Sequence, residues 1–352
     1  MRKFVGVKSN HDTDMKALFI GGTGVISTAI TRRVAQTPGW DLWLINRGNR
    51  LYEVPENVKT IVVDINDEAE VLRRLEGIEF DVVCDFIGFE RVQVERDYRL
   101  FGGRTKQFMY ISSASAYQKP LASPYITEGT TLANPYWQYS RNKIECEEYL
   151  WRLWREEGFP VTVIRPSHTY CERSLPVGVH GKMGAWQVVK RMLEGKPVII
   201  PGDGTSLWTV THSSDFAKAF VGLMGNSHAV GEAFQITSDE SLTWNQINAT
   251  IAGILGVEFR PYHVSSDFLA DVGRQYDLRG ALLGDKANTV IFDNSKIKRA
   301  VPDLVCTTPF AVGARLSLEY FLSHPELQRE DPAFDAWCDA VIAALDAARR
   351  QL

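Results

Sequence analysis

The sequence predicts an α/β protein, a doubly wound parallel sheet followed by a smaller C-terminal α+β domain. Short, nearly all-apolar runs alternate with helical patterns through the first half. A glycine-rich turn follows the first of these runs, and after Pro166 the rhythm breaks into shorter elements joined by Gly- and Pro-rich connections. Apolar strands separated by helices are what a parallel sheet covered on both faces requires.

In chain order, residues 16–20 form the first strand, and apolar periodicity predicts a helix over about 25–35. Further strands are expected at 42–45, 58–63, 80–86 and 107–111, with helices near 68–75 and 91–100. A long helix over about 136–156 precedes a strand at 161–164. Segments 176–184 and 197–204 read as loops crossing between layers. Then come a strand near 208–211, a helix at 215–224, a strand at 233–236 and a helix at 243–255. Trp337, Val341, Ile342 and Leu345 give the last helix an apolar stripe.

Composition removes several classes of function. The 352 residues carry 39 Lys plus Arg against 43 Asp plus Glu, a net charge of −4, so no nucleic acid or anionic membrane is expected as the main partner. No apolar run approaches the roughly 18 residues of a membrane span. The opening MRKFVGVKSNHDTD has a basic start without an apolar core, unlike a signal peptide. Five cysteines without a Cys-x-x-Cys pair, and seven dispersed histidines, argue against a disulfide framework and against a metal site. A reduced, soluble, cytoplasmic protein is the expectation.

The run Gly21-Gly22-Thr23-Gly24-Val25-Ile26 lies where the first strand turns into a helix. Glycines there let the backbone approach a pyrophosphate seated on the helix N-terminus, the fingerprint of a Rossmann dinucleotide site. Ser27 stands where a third glycine would ease packing. The second strand ends in Asn46-Arg47 rather than the acid that holds the ribose of NAD. Asn46 repels no 2′-phosphate and Arg47 can pair with one, so NAD or NADP is the expected cofactor, with NADP slightly favoured. Asp64-Ile65, ending the third strand, is placed for the adenine, although Asp64 also suits a turn.

The fifth strand runs into Ser112-Ser113-Ala114-Ser115, and Tyr139 and Lys143 lie four apart on one face of the long helix. An ammonium beside a phenol favours the phenolate, and a serine hydroxyl can bind the same substrate oxygen. Such a trio moves a proton as a hydride moves.

Together these residues resemble the extended short-chain dehydrogenase/reductase superfamily, in its NAD-dependent epimerase/dehydratase branch. The resemblance runs from about Lys16 to Arg299 and includes Arg165-Pro166, Pro201-Gly202-Asp203-Gly204 and His212-x-x-Asp215. It implies an extension over 1–15, a Rossmann domain over 16–172, and a substrate-binding domain over 173–352 whose segment 208–236 returns to the first domain. It also implies Ser113, Tyr139 and Lys143 as catalytic residues, with Tyr139, Lys143 and Pro166 against the cofactor. Ser113, Ser115, His168 and Trp208 are the candidate substrate contacts. A homodimer through the long helix is implied as well; Ile144, Tyr149, Leu150, Trp151 and Trp154 give that helix enough apolar surface for one core face and part of an interface, and all of them could instead be core.

Departures from the family pattern narrow the chemistry. Ala114 and Ser115 replace the acidic pair of the 4,6-dehydratases, which disfavours elimination and decarboxylation. Trp208 replaces an arginine that holds the diphosphate of nucleotide-sugars. A second such arginine is missing near Leu282-Leu283-Gly284-Asp285-Lys286, where Arg279 or Lys286 could substitute. His168 either touches substrate or is structural. The expected function is an NAD(P)-dependent epimerase or oxidoreductase acting on a hydroxyl of a sugar-like substrate. The alternative is a non-catalytic RNA-binding or NADP-sensing protein of the same fold.

Overall fold

The computed structural model describes residues 14–50 and 54–352, so the expected extension lies almost wholly outside the described residues. Seven strands form the central sheet: β1 (Met15–Ile20), β2 (Trp40–Asn46), β3 (Lys59–Val62), β4 (Phe80–Asp85), β5 (Thr105–Ile111), β6 (Val161–Pro166) and β7 (Glu232–Ile236). Every pairing is parallel, in the order β7-β6-β5-β4-β1-β2-β3. The order reverses between β1 and β4, and the crevice at such a switch point is where open α/β sheets hold ligands.

Four helices fill the early crossovers: α1 (Ser27–Ala35), α2 (Glu68–Arg74), α3 (Arg91–Phe101) and α4 (Gln138–Glu157). One face of the sheet packs Ile30 and Val34 of α1 together with Phe216, Phe220 and Leu223 from a later helix, Ser213–Leu223. The other face packs Val94, Leu100 and Phe101 of α3 against Cys146, Leu150 and Leu153 of α4. The chain therefore leaves the sheet after β6 and returns to it with that helix and β7. A third apolar core gathers Tyr170, Trp186, Trp208, Trp244, Phe310 and Phe334.

The expected elements fall close to the observed ones, but the stretch at 197–204 expected as a loop contains a strand, Val198–Pro201, because its apolar residues pair with Pro261–Val264, and three further differences follow. The long helix begins at Gln138 because Pro135 and a β-region Trp137 precede it. The single strand expected at 208–211 is two short ones, since Leu207–Trp208 pairs with Leu242–Thr243 and Val210–His212 pairs with His168–Tyr170. Arg279–Lys286 is a π-helix, a geometry with no apolar period to announce it. Among the described residues, no helix is long and apolar enough to cross a membrane.

Candidate active site

Two adjoining cavities open over the carboxyl ends of the strands. The first, of about 550 Å³, is lined by Gly21, Gly22, Thr23, Gly24, Asn46, Arg47, Asp64 and Ile65 among others. The second, of about 670 Å³, takes Val25, Ile26, Ser113, Ser115, Tyr139, Lys143, Pro166, His168 and Trp208. Gly24, Ser27, Phe86, Ile87 and Phe89 line both, so they form one groove. Every residue singled out from the sequence as a catalytic, cofactor or substrate contact thus borders this groove, whereas Arg279 and Lys286, the candidate substitutes for a diphosphate-binding arginine, do not. A larger cleft of about 1100 Å³ adjoins it at Val25, His168 and Ser174, but borders none of Ser113, Tyr139 and Lys143.

At the glycine turn, Gly22 has φ +101° and a Cβ there would stand 2.8 Å from a methyl of Leu44. Only glycine suits both demands. Ser27 Oγ accepts from the Gly24 N–H at 2.8 Å, so the serine at the imperfect position closes the turn. Helix α1 has no side-chain cap, which leaves N-terminal amides for an anion. Asn46 Oδ1 accepts from the Gly48 N–H at 2.8 Å, whereas its Nδ2 is buried without a partner. An orphaned donor beside exposed Arg47, at the end of β2, fits a ribose and its 2′ substituent. Asp64 makes a turn, accepting from the backbone and side-chain amides of Asn66, and also lines the groove.

In the second cavity, α4 presents Tyr139 in its first turn and Lys143 one turn later. Lys143 is buried, and its Nζ donates to the carbonyls of Gly88 at 2.6 Å and Ile111 at 2.7 Å. It lies 4.6 Å from the Phe89 ring centroid and 5.9 Å from that of Tyr139. Burial pulls the Lys143 amine down to about 8. Tyr139 is pushed up from the ordinary phenol value by burial, held back by a hydrogen bond with Ser113. That corrects the expectation of a phenolate favoured by a neighbouring ammonium, because the ammonium is engaged by carbonyls and the phenol is desolvated.

Ser113 and Ser115 Oγ atoms lie 2.9 Å apart, and Ser140 donates to Ser115 at 2.7 Å. Asn134 Nδ2 bridges the carbonyls of Ser115 at 2.8 Å and Gly284 at 2.7 Å, tying this hydroxyl row to the π-helix. His168 lines the cavity, and burial, reinforced by Lys286 and His180, drives it down to about 3, so it is neutral at physiological pH. Trp208 is buried, stacked 6.3 Å from Trp244, with its Nε1 unpartnered. His212 Nδ1 accepts from the Ser214 N–H at the start of its helix, a structural role.

Sequence reasoning missed Asp285, Trp137 and Phe89 on the cavity wall. The π-helix carries Asp285 there because it presses on α4. A Cβ at Gly280 would stand 2.1 Å from Trp137, and one at Gly284 2.9 Å from it. Glycines spaced four apart just before an acid were the available signal. Burial pushes the Asp285 carboxyl up to about 7, against the pull of Lys119 and Lys286.

A profile of the NAD dependent epimerase/dehydratase family matches residues 17–237. The chain belongs to this family. It is 22% identical over 264 residues to 2′-dehydrokanamycin reductase of Streptomyces kanamyceticus, covering 75% of this chain and 73% of that protein. It is 25% identical over 246 residues to the chloroplast stem-loop binding protein of 41 kDa b of Arabidopsis thaliana, covering 66% of this chain and 61% of that one. The UDP-glucuronic acid 4-epimerase of Bacillus cereus, solved in complex with NAD, superposes with a TM-score of 0.68 at 19% identity, covering 88% of this chain and 99% of the other. At that identity the likeness shows the fold.

Proposed function

We propose that the protein is an NAD(P)-dependent oxidoreductase or epimerase that works on a hydroxyl of a sugar-like substrate. The observation that carries this reading is the convergence of Ser113, Tyr139 and Lys143 on one cavity continuous with the glycine-turn groove. Residues 16–172 hold the dinucleotide, and 173–352, apart from the segment of about 208–236 that returns to the first domain, close over the substrate. Gly21 to Ile26 cradle the pyrophosphate, Asn46 and Arg47 bind the adenosine ribose with NADP favoured, and Asp64 and Ile65 flank the adenine. The bound dinucleotide supplies the hydride acceptor or donor. Tyr139 holds or takes the proton of the reacting hydroxyl, and Ser113 fixes that oxygen by a second hydrogen bond. Lys143 positions Tyr139 and the nicotinamide ribose, and Ser115 and Ser140 orient Ser113. His168 is neutral and serves as a hydrogen-bonding wall. The similarity to 2′-dehydrokanamycin reductase and to the UDP-glucuronic acid 4-epimerase supports this class of substrate.

The test is to purify the protein without added cofactor, denature it and quantify released dinucleotide by mass spectrometry. Near-stoichiometric NAD or NADP identifies a resident cofactor recycled in each turnover, as in an epimerase. An empty protein that binds NADP reversibly indicates a dehydrogenase or reductase. Failure to retain or bind either dinucleotide overturns the proposal.

A further inference from the structure

Resting on that reading, we infer that the substrate is an amine-bearing sugar or glycoside without a nucleotide diphosphate, its ammonium recognised by Asp285 and one of its hydroxyls by the Trp208 indole N–H.

The cavity wall decides the charge of its occupant. Among the described residues, the titratable groups on it are Tyr139, Lys143, His168 and Asp285, with no guanidinium. Lys143 is engaged by two carbonyls, and His168 is neutral. A diphosphate lodged within this cavity would find no free cation and would face the Asp285 carboxyl instead. Charge-assisted donors are what hold such groups in buried sites.

Asp285 forms no ion pair within 4 Å among the described residues, although two lysines lie near it. Lys119 and Lys286 are buried off the wall, their Nζ atoms turned to the carbonyls of Tyr117, and of Val177 and Gly178, each at 3.4 Å. Burial lowers both lysines below the usual range, which weakens their claim on the carboxylate. An ammonium entering the cavity supplies the short charge-assisted partner that Asp285 lacks. Phe89, Trp137 and Trp208 add aromatic surface, whose faces attract cations and stack on sugar rings.

Unfilled hydrogen-bonding capacity points the same way. Trp208 Nε1 and Thr169 Oγ1 are both buried without partners on this wall. Buried polar atoms are normally satisfied, and these two belong to residues that line the cavity, which leaves unfilled hydrogen-bonding capacity beside an occupant's hydroxyls. A carboxylate and an indole N–H around the Ser113–Tyr139 hydroxyls suit a polyhydroxylated, aminated ring.

Calorimetric titration of the protein with its dinucleotide bound tests this with three probes: methyl 6-amino-6-deoxyglucoside, methyl glucoside and UDP-glucose. The aminated glycoside is expected to bind at least about tenfold tighter than the neutral one, equivalent to about 1.4 kcal/mol, with UDP-glucose weakest. Asp285→Asn is expected to erase the amine's advantage, and its dinucleotide affinity reports that the variant is folded. Should that variant fail to fold, the wild-type ranking still decides the substrate class, and Asp285→Glu, which keeps the charge, is expected to retain a preference for the amine. UDP-glucose binding tightest, the two glycosides binding alike or not at all, or an advantage that survives Asp285→Asn overturns the inference. If the protein binds no dinucleotide, the proposed function falls. If it binds dinucleotide but ignores the amine, only the present inference falls.

Discussion

Removing the Glu147 carboxylate is expected to cost about 3–5 kcal/mol of stability, because it leaves a buried charge without its partner. Glu147 sits on α4, beyond Tyr139 and Lys143, with its side chain fully buried. It accepts from Arg165 Nε at 3.0 Å and from the terminal Arg165 nitrogen at 2.6 Å, and Ser112 Oγ donates to the same carboxylate. This pair pins the tyrosine-bearing helix to β6 and to the end of β5, two walls of the candidate active site. In Glu147→Leu the guanidinium keeps the Glu128 carbonyl at 3.1 Å, a long contact to the Tyr117 hydroxyl at 3.5 Å and the Tyr117 ring at 5.1 Å, but no carboxylate. Replacing both partners with apolar residues, as in Glu147→Leu with Arg165→Met, removes the desolvation cost as well as the attraction and is expected to recover most of the loss. Urea unfolding of the wild type, both single variants and the double variant measures the cycle. A Glu147→Leu cost below about 1 kcal/mol would refute the reasoning, since surface ion pairs are worth that little. So would a double variant as unstable as the sum of the singles.

Tyr139→Phe is expected to lower turnover by about 10²–10⁴-fold with dinucleotide affinity unchanged, read by steady-state kinetics and calorimetry. Gly22→Ala forces a side chain into the left-handed region, costing roughly 1–2 kcal/mol, and pushes on Leu44. Loss of dinucleotide binding with a lower melting temperature is the expected result. Arg47→Ala is expected to weaken NADP relative to NAD by about tenfold or more, since a charge-assisted hydrogen bond is worth roughly 1.5–3 kcal/mol; parallel titrations with both dinucleotides decide it. Lys143 has a folded value of about 8, below its ordinary 10.5, so its burial opposes folding while it is charged. Between those values the unfolded state binds more protons, so stability relative to Lys143→Met is expected to rise over pH 8 to 10.5 and to be lowest below pH 8.

The central sheet was legible because its signal is local. Each strand is a short apolar run, and the glycine turn sits where the first run ends, so the succession of elements and the place of the glycine-turn groove follow from the chain alone. The returning segment was legible too, since Phe216, Phe220 and Leu223 repeat at helical spacing and β7 follows as an apolar run. The proposed dimer surface separated less cleanly. Leu150 is core beneath the sheet, and Trp154 packs on Gly231, where a Cβ would lie 2.7 Å from its ring. Ile144, Tyr149 and Trp151 remain half-buried on α4. Helical period alone cannot distinguish a stripe facing the sheet from one facing a second copy.

What stayed hidden in the sequence is the electrostatics of the site, which depends on contacts between distant segments. The four-residue spacing of Tyr139 and Lys143 suggests an ammonium acting directly on a phenol. In the folded chain the Gly88 and Ile111 carbonyls, from the loop after β4 and the end of β5, hold that ammonium. Asp285, reaching the cavity from the π-helix, pushes the phenol further up. Both effects keep Tyr139 protonated before substrate arrives, a state suited to donating a proton to a carbonyl oxygen. Oxidation of an alcohol instead needs the phenol to lose its proton first, so under the proposed function the oxidative rate is expected to rise with pH. An ammonium held by Asp285 would remove part of that upward push on Tyr139, coupling recognition of an aminated substrate to the acidity of the group that acts on it.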